Sequence, residues 1–205
     1  MLKDNTITEY LEKTASGEPV PGGGSIAALS AAAAASLTEM VANLTIGKKG
    51  YASVETEMRD IARTASKFRD KFIGDIDNDP QAYQQVLAAF QLPKNTVTEK
   101  QRRAIAIQDG FKNAALVPMS VAEDGFKIMD LAKKVIEKGN KNAATDGAVA
   151  AMAARTAVIA ALYNVKINLT AIKDEAFVEE LAQKAKTLER QVKDKEKMIL
   201  ASIDI

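Results

Sequence analysis

The chain has 205 residues, with 28 Lys and Arg against 27 Asp and Glu, so no basic surplus points to a nucleic-acid partner. It contains neither cysteine nor histidine, which removes disulfides, thiolate chemistry, the commonest general base and the commonest metal ligand. Acid–base work falls to Asp, Glu, Lys or Tyr. The length suits one domain over residues 1–205 with a real core. With no N-terminal signal pattern and no uninterrupted apolar run of about 18 residues, the expectation is a cytoplasmic protein with no membrane contact.

Thr6-Ile7-Thr8-Glu9 predicts a capping box opening a helix to about Thr14, because Thr and Glu at that spacing satisfy each other's orphan donors. Pro19-Val20-Pro21-Gly22-Gly23-Gly24-Ser25 follows. Two prolines stiffen the approach, three glycines leave backbone with no Cβ to obstruct a ligand, and Ser25 is placed to cap the helix behind it. Unpaired N–H groups at the positive end of a helix make an anion site, although the Gly-Lys-Ser/Thr ending of a nucleotide P-loop is absent. A sharp turn that lets helices pack closely is the other reading. Ser25 to about Thr45 is an Ala-rich helix with small residues all round, which predicts burial among other helices. In Gly47-Lys48-Lys49-Gly50-Tyr51 two adjacent lysines are either a solvated turn or a contact for an acidic ligand.

From Ser53 to Ile73, Val54, Met58, Ile61, Ala65, Phe68 and Phe72 recur as one apolar stripe of a helix. Gly74-Asp75-Ile76-Asp77-Asn78-Asp79-Pro80 interrupts it, and locally Asp79 caps a new helix with Pro80 at its first position. That helix runs through Tyr83, Val86, Leu87 and Phe90 to a break at Leu92-Pro93-Lys94-Asn95. Thr98 with Gln101 reads as a second capping box. Ala104, Ile105, Ile107, Phe111, Ala115 and Leu116 then supply a buried side, and Pro118 is expected to kink or end the helix. Apolar spacing resumes from Val121 to Ile136, and Gly139 stops it.

Asn140 to Asp146 is a polar loop, followed by a second Ala-rich helix from Gly147 to about Val165 that turns Val149, Met152, Ala153, Thr156 and Ala160 to its neighbours. Asn164, Asn168 and Asp174 cluster beyond it. The last helix, Glu175 to about Ser202, carries Phe177, Leu181, Ala185, Leu188, Val192 and Ile199 at near-heptad spacing. No strand pattern occurs, so the fold class is all-α, a bundle of about six to eight helices around two Ala-rich central ones. Flat Ala-rich surfaces on a bundle of this size predict at least a homodimer.

Several of these stretches carry a resemblance: Pro19 to Ser25, Met40 to Lys49, Asp79-Pro80-Gln81-Ala82-Tyr83, Leu92 to Thr96, Arg102-Arg103, Asp146, and Tyr163 to Leu169. In this order, over nearly the whole chain, they resemble the formiminotetrahydrofolate cyclodeaminase family, whose members include methenyltetrahydrofolate cyclohydrolases. The resemblance implies an all-helical dimer with folate in clefts near the subunit contact, and a cyclodeaminase domain standing alone. The family's catalytic aspartate falls in an Asp-x-x-Ala-aromatic pattern, which here is Asp79 with Ala82 and Tyr83.

The reaction so implied cyclises 5-formiminotetrahydrofolate to 5,10-methenyltetrahydrofolate with release of ammonia. Alternatives are a cyclohydrolase that opens the methenyl ring with water, and a non-catalytic helical dimer that binds folate or a protein. Either reaction places the tetrahydrofolate derivative as substrate, with no metal and no permanently bound cofactor. Gly22, Gly23, Gly24, Ser25, Lys48 and Lys49 are the expected contacts for its glutamate tail, whether single or extended, and Tyr83 stands beside Asp79. Lys94 and Arg102 form a second basic group next to Arg103, itself expected on a solvated face. Asn164 and Asn168 are placed either to bond a pterin edge or to satisfy buried helix ends.

Overall fold

The computed structural model describes residues 1–203. Among them are six α-helices and no strand: α1 (Ile7–Thr14), α2 (Gly23–Asn43), α3 (Glu55–Gln91), α4 (Val97–Lys138), α5 (Ala144–Leu169) and α6 (Glu175–Ala201). Short 3-10 turns at Leu2–Asp4, Ala52–Val54 and Lys141–Ala143 precede α1, α3 and α5. The Ala-rich helices α2 and α5 are central: α2 packs on α3, α4 and α5, and α5 on α2, α4 and α6. The alanines on their inner faces, among them Ala28, Ala31, Ala35, Ala150, Ala154 and Ala157, are fully buried, because a methyl side chain is what lets helix axes approach closely. By length and composition α2 and the stretch Lys141–Leu169 could each cross a membrane, which the search for uninterrupted apolar runs does not anticipate. In the fold each buries one face among the other helices and leaves the opposite face open, so the all-round burial expected for α2 holds on one side only.

Helix α3 is unbroken through Gly74 and Pro80, and α4 through Pro118, so the expected interruption at Gly74–Pro80 and the expected stop at Pro118 give way to two long helices. Proline has no N–H to donate to the carbonyl four residues earlier. For Pro80 that carbonyl belongs to Ile76, and the Ser25 hydroxyl of α2 donates to it at 3.0 Å. For Pro118 it belongs to Ala114, and the Asn168 side-chain amide of α5 donates to it at 2.9 Å. A central helix thus supplies the missing donor in both places. A charged network ties α3 to α4 just before Asp79: Lys71 donates to Asp75 at 2.8 Å and meets Asp124 at 3.2 Å, and Asn78 donates to Asp75 at 2.9 Å.

Other boundaries differ from the sequence reading. The Thr6–Glu9 capping box is present. The box of α4 is Thr96 with Glu99, not Thr98 with Gln101, and Glu99 accepts from the backbone N–H groups of both Asn95 and Thr96. The cap of α2 is Gly22, so Ser25 lies inside the helix and is fully buried. Gly139 does end α4, but at φ −80°; a Cβ there would overlap the Val135 carbonyl. Helix α5 extends to Leu169, which brings Asn164 and Asn168 into its last turns. Val149, Met152 and Thr156 of α5, and Ala104, Ile105 and Leu116 of α4, point outward. The inner face of α5 is instead built from Ala150, Ala154, Ala157, Val158, Ala161 and Val165.

Candidate functional site

The start of α2 meets the middle of α3. Gly22, Gly23 and Gly24 form the cap and first turn of α2, and none of them has a positive φ, so handedness is not what requires glycine. At Gly24 the reason is space, since a Cβ would overlap the Asp79 carboxyl group. Without it the carboxylate sits directly against the first turn, where unpaired N–H groups and the helix dipole favour negative charge. Ser25 fixes the approach from the other side through its bond to the Ile76 carbonyl, one turn before Pro80.

Two opposing effects act on Asp79. Burial pushes its carboxyl above the usual carboxylate range, and the Ser25 backbone N–H pulls back only in part. A carboxyl raised in this way holds a proton more readily than an ordinary carboxylate, which suits a group that takes and returns one. Tyr83 follows one helical turn later and is 41% exposed, so it stands over the same side of α3 as Asp79. Across α2, a Cβ on Gly23 would make an ordinary 3.4 Å contact with Asn164 Nδ2. Asn164 donates to the Ala160 carbonyl at 2.9 Å, and Asn168 donates to the Asn164 carbonyl at 2.9 Å as well as to Ala114. Asp79, Gly22–Ser25, Tyr83 and Asn164 therefore gather at one end of the bundle, with Asn168 one turn further along α5 holding α4.

The cations do not gather there. Lys48 and Lys49 follow the far end of α2, whose 21 residues span about 31 Å. Lys48 donates to Asn140 at 2.5 Å and lies 5.8 Å from the Tyr51 ring centroid, clamping the turn before α5, while Lys49 is exposed. Lys94 lies in the α3–α4 connection and Arg102 in the second turn of α4, both exposed. They stand beyond the end of α3, and the helix covers about 18 Å from Asp79 to Gln91. Arg103 is anchored to the Phe90 carbonyl at 3.1 Å and packs over the Phe90 ring.

Tyr10 and Asp77 are site residues that no sequence motif singles out. Tyr10 of α1 is 5% exposed. Burial pushes its hydroxyl pKa up, Ser25 opposes the shift, and the Asp79 and Asp77 charges add to it. Asp77 is 6% exposed and accepts from the Leu2 backbone N–H at 2.6 Å, which lays the N-terminal turn against α3. Tyr10 is a lone aromatic on an eight-residue helix, and only the docking of α1 reveals where it points.

Comparison with known proteins follows the same lines. Residues 6–187 match the family model described as formiminotransferase-cyclodeaminase. A methenyltetrahydrofolate cyclohydrolase of Methylorubrum extorquens is 41% identical over 180 residues, covering 88% of this chain and 86% of that protein. The formimidoyltransferase-cyclodeaminase of Mus musculus is 31% identical over 99% of this chain, which spans 38% of its length. The crystal structure of a formiminotetrahydrofolate cyclodeaminase from Thermotoga maritima superimposes with a TM-score of 0.88 at 30% identity, covering 99% of this chain and 98% of that one. The chain belongs to the formiminotransferase-cyclodeaminase family.

Proposed function

We propose that this protein is a folate-dependent one-carbon enzyme that cyclises 5-formiminotetrahydrofolate to 5,10-methenyltetrahydrofolate with release of ammonia. One observation carries the reading: Asp79, its carboxyl pushed up by burial, set against the glycine start of α2 in a chain without histidine. N10 of the folate attacks the formimino carbon on N5. Asp79 takes the N10 proton and returns it to the formimino nitrogen, which leaves as ammonia with one further proton from solvent. The closed ring carries a positive charge that the same carboxylate stabilises as it develops. Both reacting nitrogens belong to the substrate, so positioning supplies much of the rate.

A second reading is supported by the 41% identity to a methenyltetrahydrofolate cyclohydrolase over most of both chains. There water attacks the methenyl carbon, Asp79 takes its proton, and the ring opens toward 10-formyltetrahydrofolate. Ammonia release from 5-formiminotetrahydrofolate, assayed beside hydrolysis of the methenyl compound, separates the two. Absence of both activities would leave a folate-binding or protein-binding helical protein.

We also propose that the protein works as a homodimer. Helix α2 exposes Leu29, Ala33, Ser36, Met40 and Leu44 along one stripe, and the neighbouring α5 exposes Val149, Met152, Thr156, Tyr163 and Ile167. Within these two helices Glu39, Arg155 and Lys166 pair with Arg69, Glu196 and Glu189 of the flanking helices, so the paired charges belong to the flanks and the stripe itself carries none. The stripe begins at Leu29, five residues after the Gly24 that meets Asp79. A second copy laid on it would wall the folate cleft, and an antiparallel arrangement of the two α2 helices would bring its Lys49 toward a glutamate tail, whether single or extended.

A further inference from the structure

Gly23 and Gly24 stand side by side in the first turn of α2, and each faces a different polar side chain. A Cβ on Gly24 would overlap the Asp79 carboxyl group, and one on Gly23 would lie 3.4 Å from Asn164 Nδ2 and 3.7 Å from Asn164 Oδ1. Consecutive Cα atoms are about 3.8 Å apart, so the carboxylate of α3 and the amide of α5 flank one short piece of backbone. The Asn164 amide is held in a single orientation, because its Nδ2 donates to the Ala160 carbonyl at 2.9 Å. The oxygen is the end left over. Among the described residues nothing donates to it, and the buried side-chain atoms without a partner are others: Asn5 Nδ2, Tyr10 Oη and Asp77 Oδ2. Asn164 Oδ1 is therefore an acceptor open to a ligand, across the glycine turn from Asp79.

We propose that Asn164 is a specificity-determining residue: its Oδ1 accepts a hydrogen bond from the formimino nitrogen on N5 while Asp79 handles the N10 proton. The inference rests on the reading of Asp79 as the group that moves that proton. The chemistry of the substrate chooses the partner. A formimino group ends in a nitrogen that carries hydrogen, whereas a formyl group of the same shape ends in an oxygen. The pterin carbonyl beside N5 is also an acceptor, and the pterin N–H donors lie across the ring from N5. Near the reacting carbon, the formimino N–H is thus the match for an oxygen that can only accept. The pterin carbonyl suits the first turn of α2, whose first intrahelical bond runs from the Ile26 N–H to the Gly22 carbonyl at 3.1 Å and leaves the Gly23 and Gly24 N–H groups open. A site that bonds an N–H rejects the analogue that lacks it, since its own acceptor is then left unpaired.

The test compares two ligands that differ in that one atom. Ammonia release from 5-formiminotetrahydrofolate is measured with 5-formyltetrahydrofolate as a competing inhibitor. Asn164→Leu should lower kcat/KM by about tenfold or more, the worth of one hydrogen bond, while the inhibition constant of the formyl compound stays level or falls. Asn164→Asp keeps an oxygen in place, so it should retain more of kcat/KM than the leucine variant and bind the formyl compound less well. A packing role, or a general contact to folate, would weaken both ligands by the same factor. That result overturns the inference, as does an Asn164→Leu enzyme with wild-type kcat/KM. Should the leucine variant fail to fold, the Asp79→Asn protein, slowed in turnover and with Asn164 intact, should bind the formimino compound about tenfold more tightly than the formyl one; equal binding overturns the inference. A wild type that releases no ammonia tells against the cyclodeaminase reading, and the ratio of the two dissociation constants in wild type and Asn164→Leu then decides the role of Asn164 by itself.

Discussion

At the scale of single residues, function and stability pull Asp79 in opposite directions. Its carboxyl is raised above the reference value of 3.8 by burial, so between that value and the raised one the folded chain holds a proton that the unfolded chain has lost. Stability therefore falls as pH rises through this interval and stays lower above it. Asp79→Asn removes the ionisation with little change of shape. It should lower kcat by more than tenfold, at least about 1.4 kcal/mol of barrier, and at neutral pH it should melt above the wild type. The gain in melting temperature should vanish well below pH 3.8, where the wild-type carboxyl is protonated in both states. A variant that keeps more than a tenth of kcat, or melts below the wild type at neutral pH, contradicts this account. The sequence made Asp79 legible through its Asp-x-x-Ala-aromatic setting, yet placed it wrongly as a helix cap. Asp-Pro is a good local start signal, and the donor that overrides it, Ser25, lies 51 residues from Ile76 along the chain, outside any local window.

At the scale of helices, the two prolines explain why α3 and α4 are single elements. Ser25→Ala removes the donor to Ile76 and leaves a buried carbonyl unpaired, a cost of about 1–3 kcal/mol. Pro80→Ala returns an N–H to that carbonyl, so in its background the same Ser25→Ala change should cost much less. Denaturant unfolding of the four combinations measures the coupling; equal costs of Ser25→Ala in both backgrounds would show that Ser25 does not substitute for the missing proline N–H. The existence of the helices, the Thr6–Glu9 box and the stop at Gly139 were legible from spacing alone. The start of α4 was ambiguous because Thr96–Glu99 and Thr98–Gln101 both fit the box pattern. The first wins because Glu99 also satisfies the Asn95 N–H. The cap of α2 was misjudged by three residues, Ser25 for Gly22, because serine is the better intrinsic cap and only the tertiary structure supplies the Ile76 carbonyl that draws it inward.

At the scale of the molecule, α2 and α5 have one face in the core and the other open. An Ala-rich helix has almost no amphipathic contrast, so its sequence cannot say which side meets its own chain; this is why Val149, Met152 and Thr156 were expected inside and lie outside. The same two faces frame the proposed dimer, and Ala33 tests it cleanly. It is exposed in the single chain and sits inside the α2 stripe between Leu29 and Ser36, so Ala33→Arg should fold normally: arginine is a good helix former, and nothing there is displaced. Across an isologous contact, however, the substitution places an arginine from each copy near the two-fold axis, unpaired and desolvated, a large penalty. The wild type should sediment at about twice the 22.0 kDa of the chain, and Ala33→Arg as a helical 22.0 kDa species with a weakened hold on folate, although Asp79 is untouched. A wild-type protein that sediments at 22.0 kDa at micromolar concentration while fully active would remove the second copy from the site and leave Asp79 to work within a single chain.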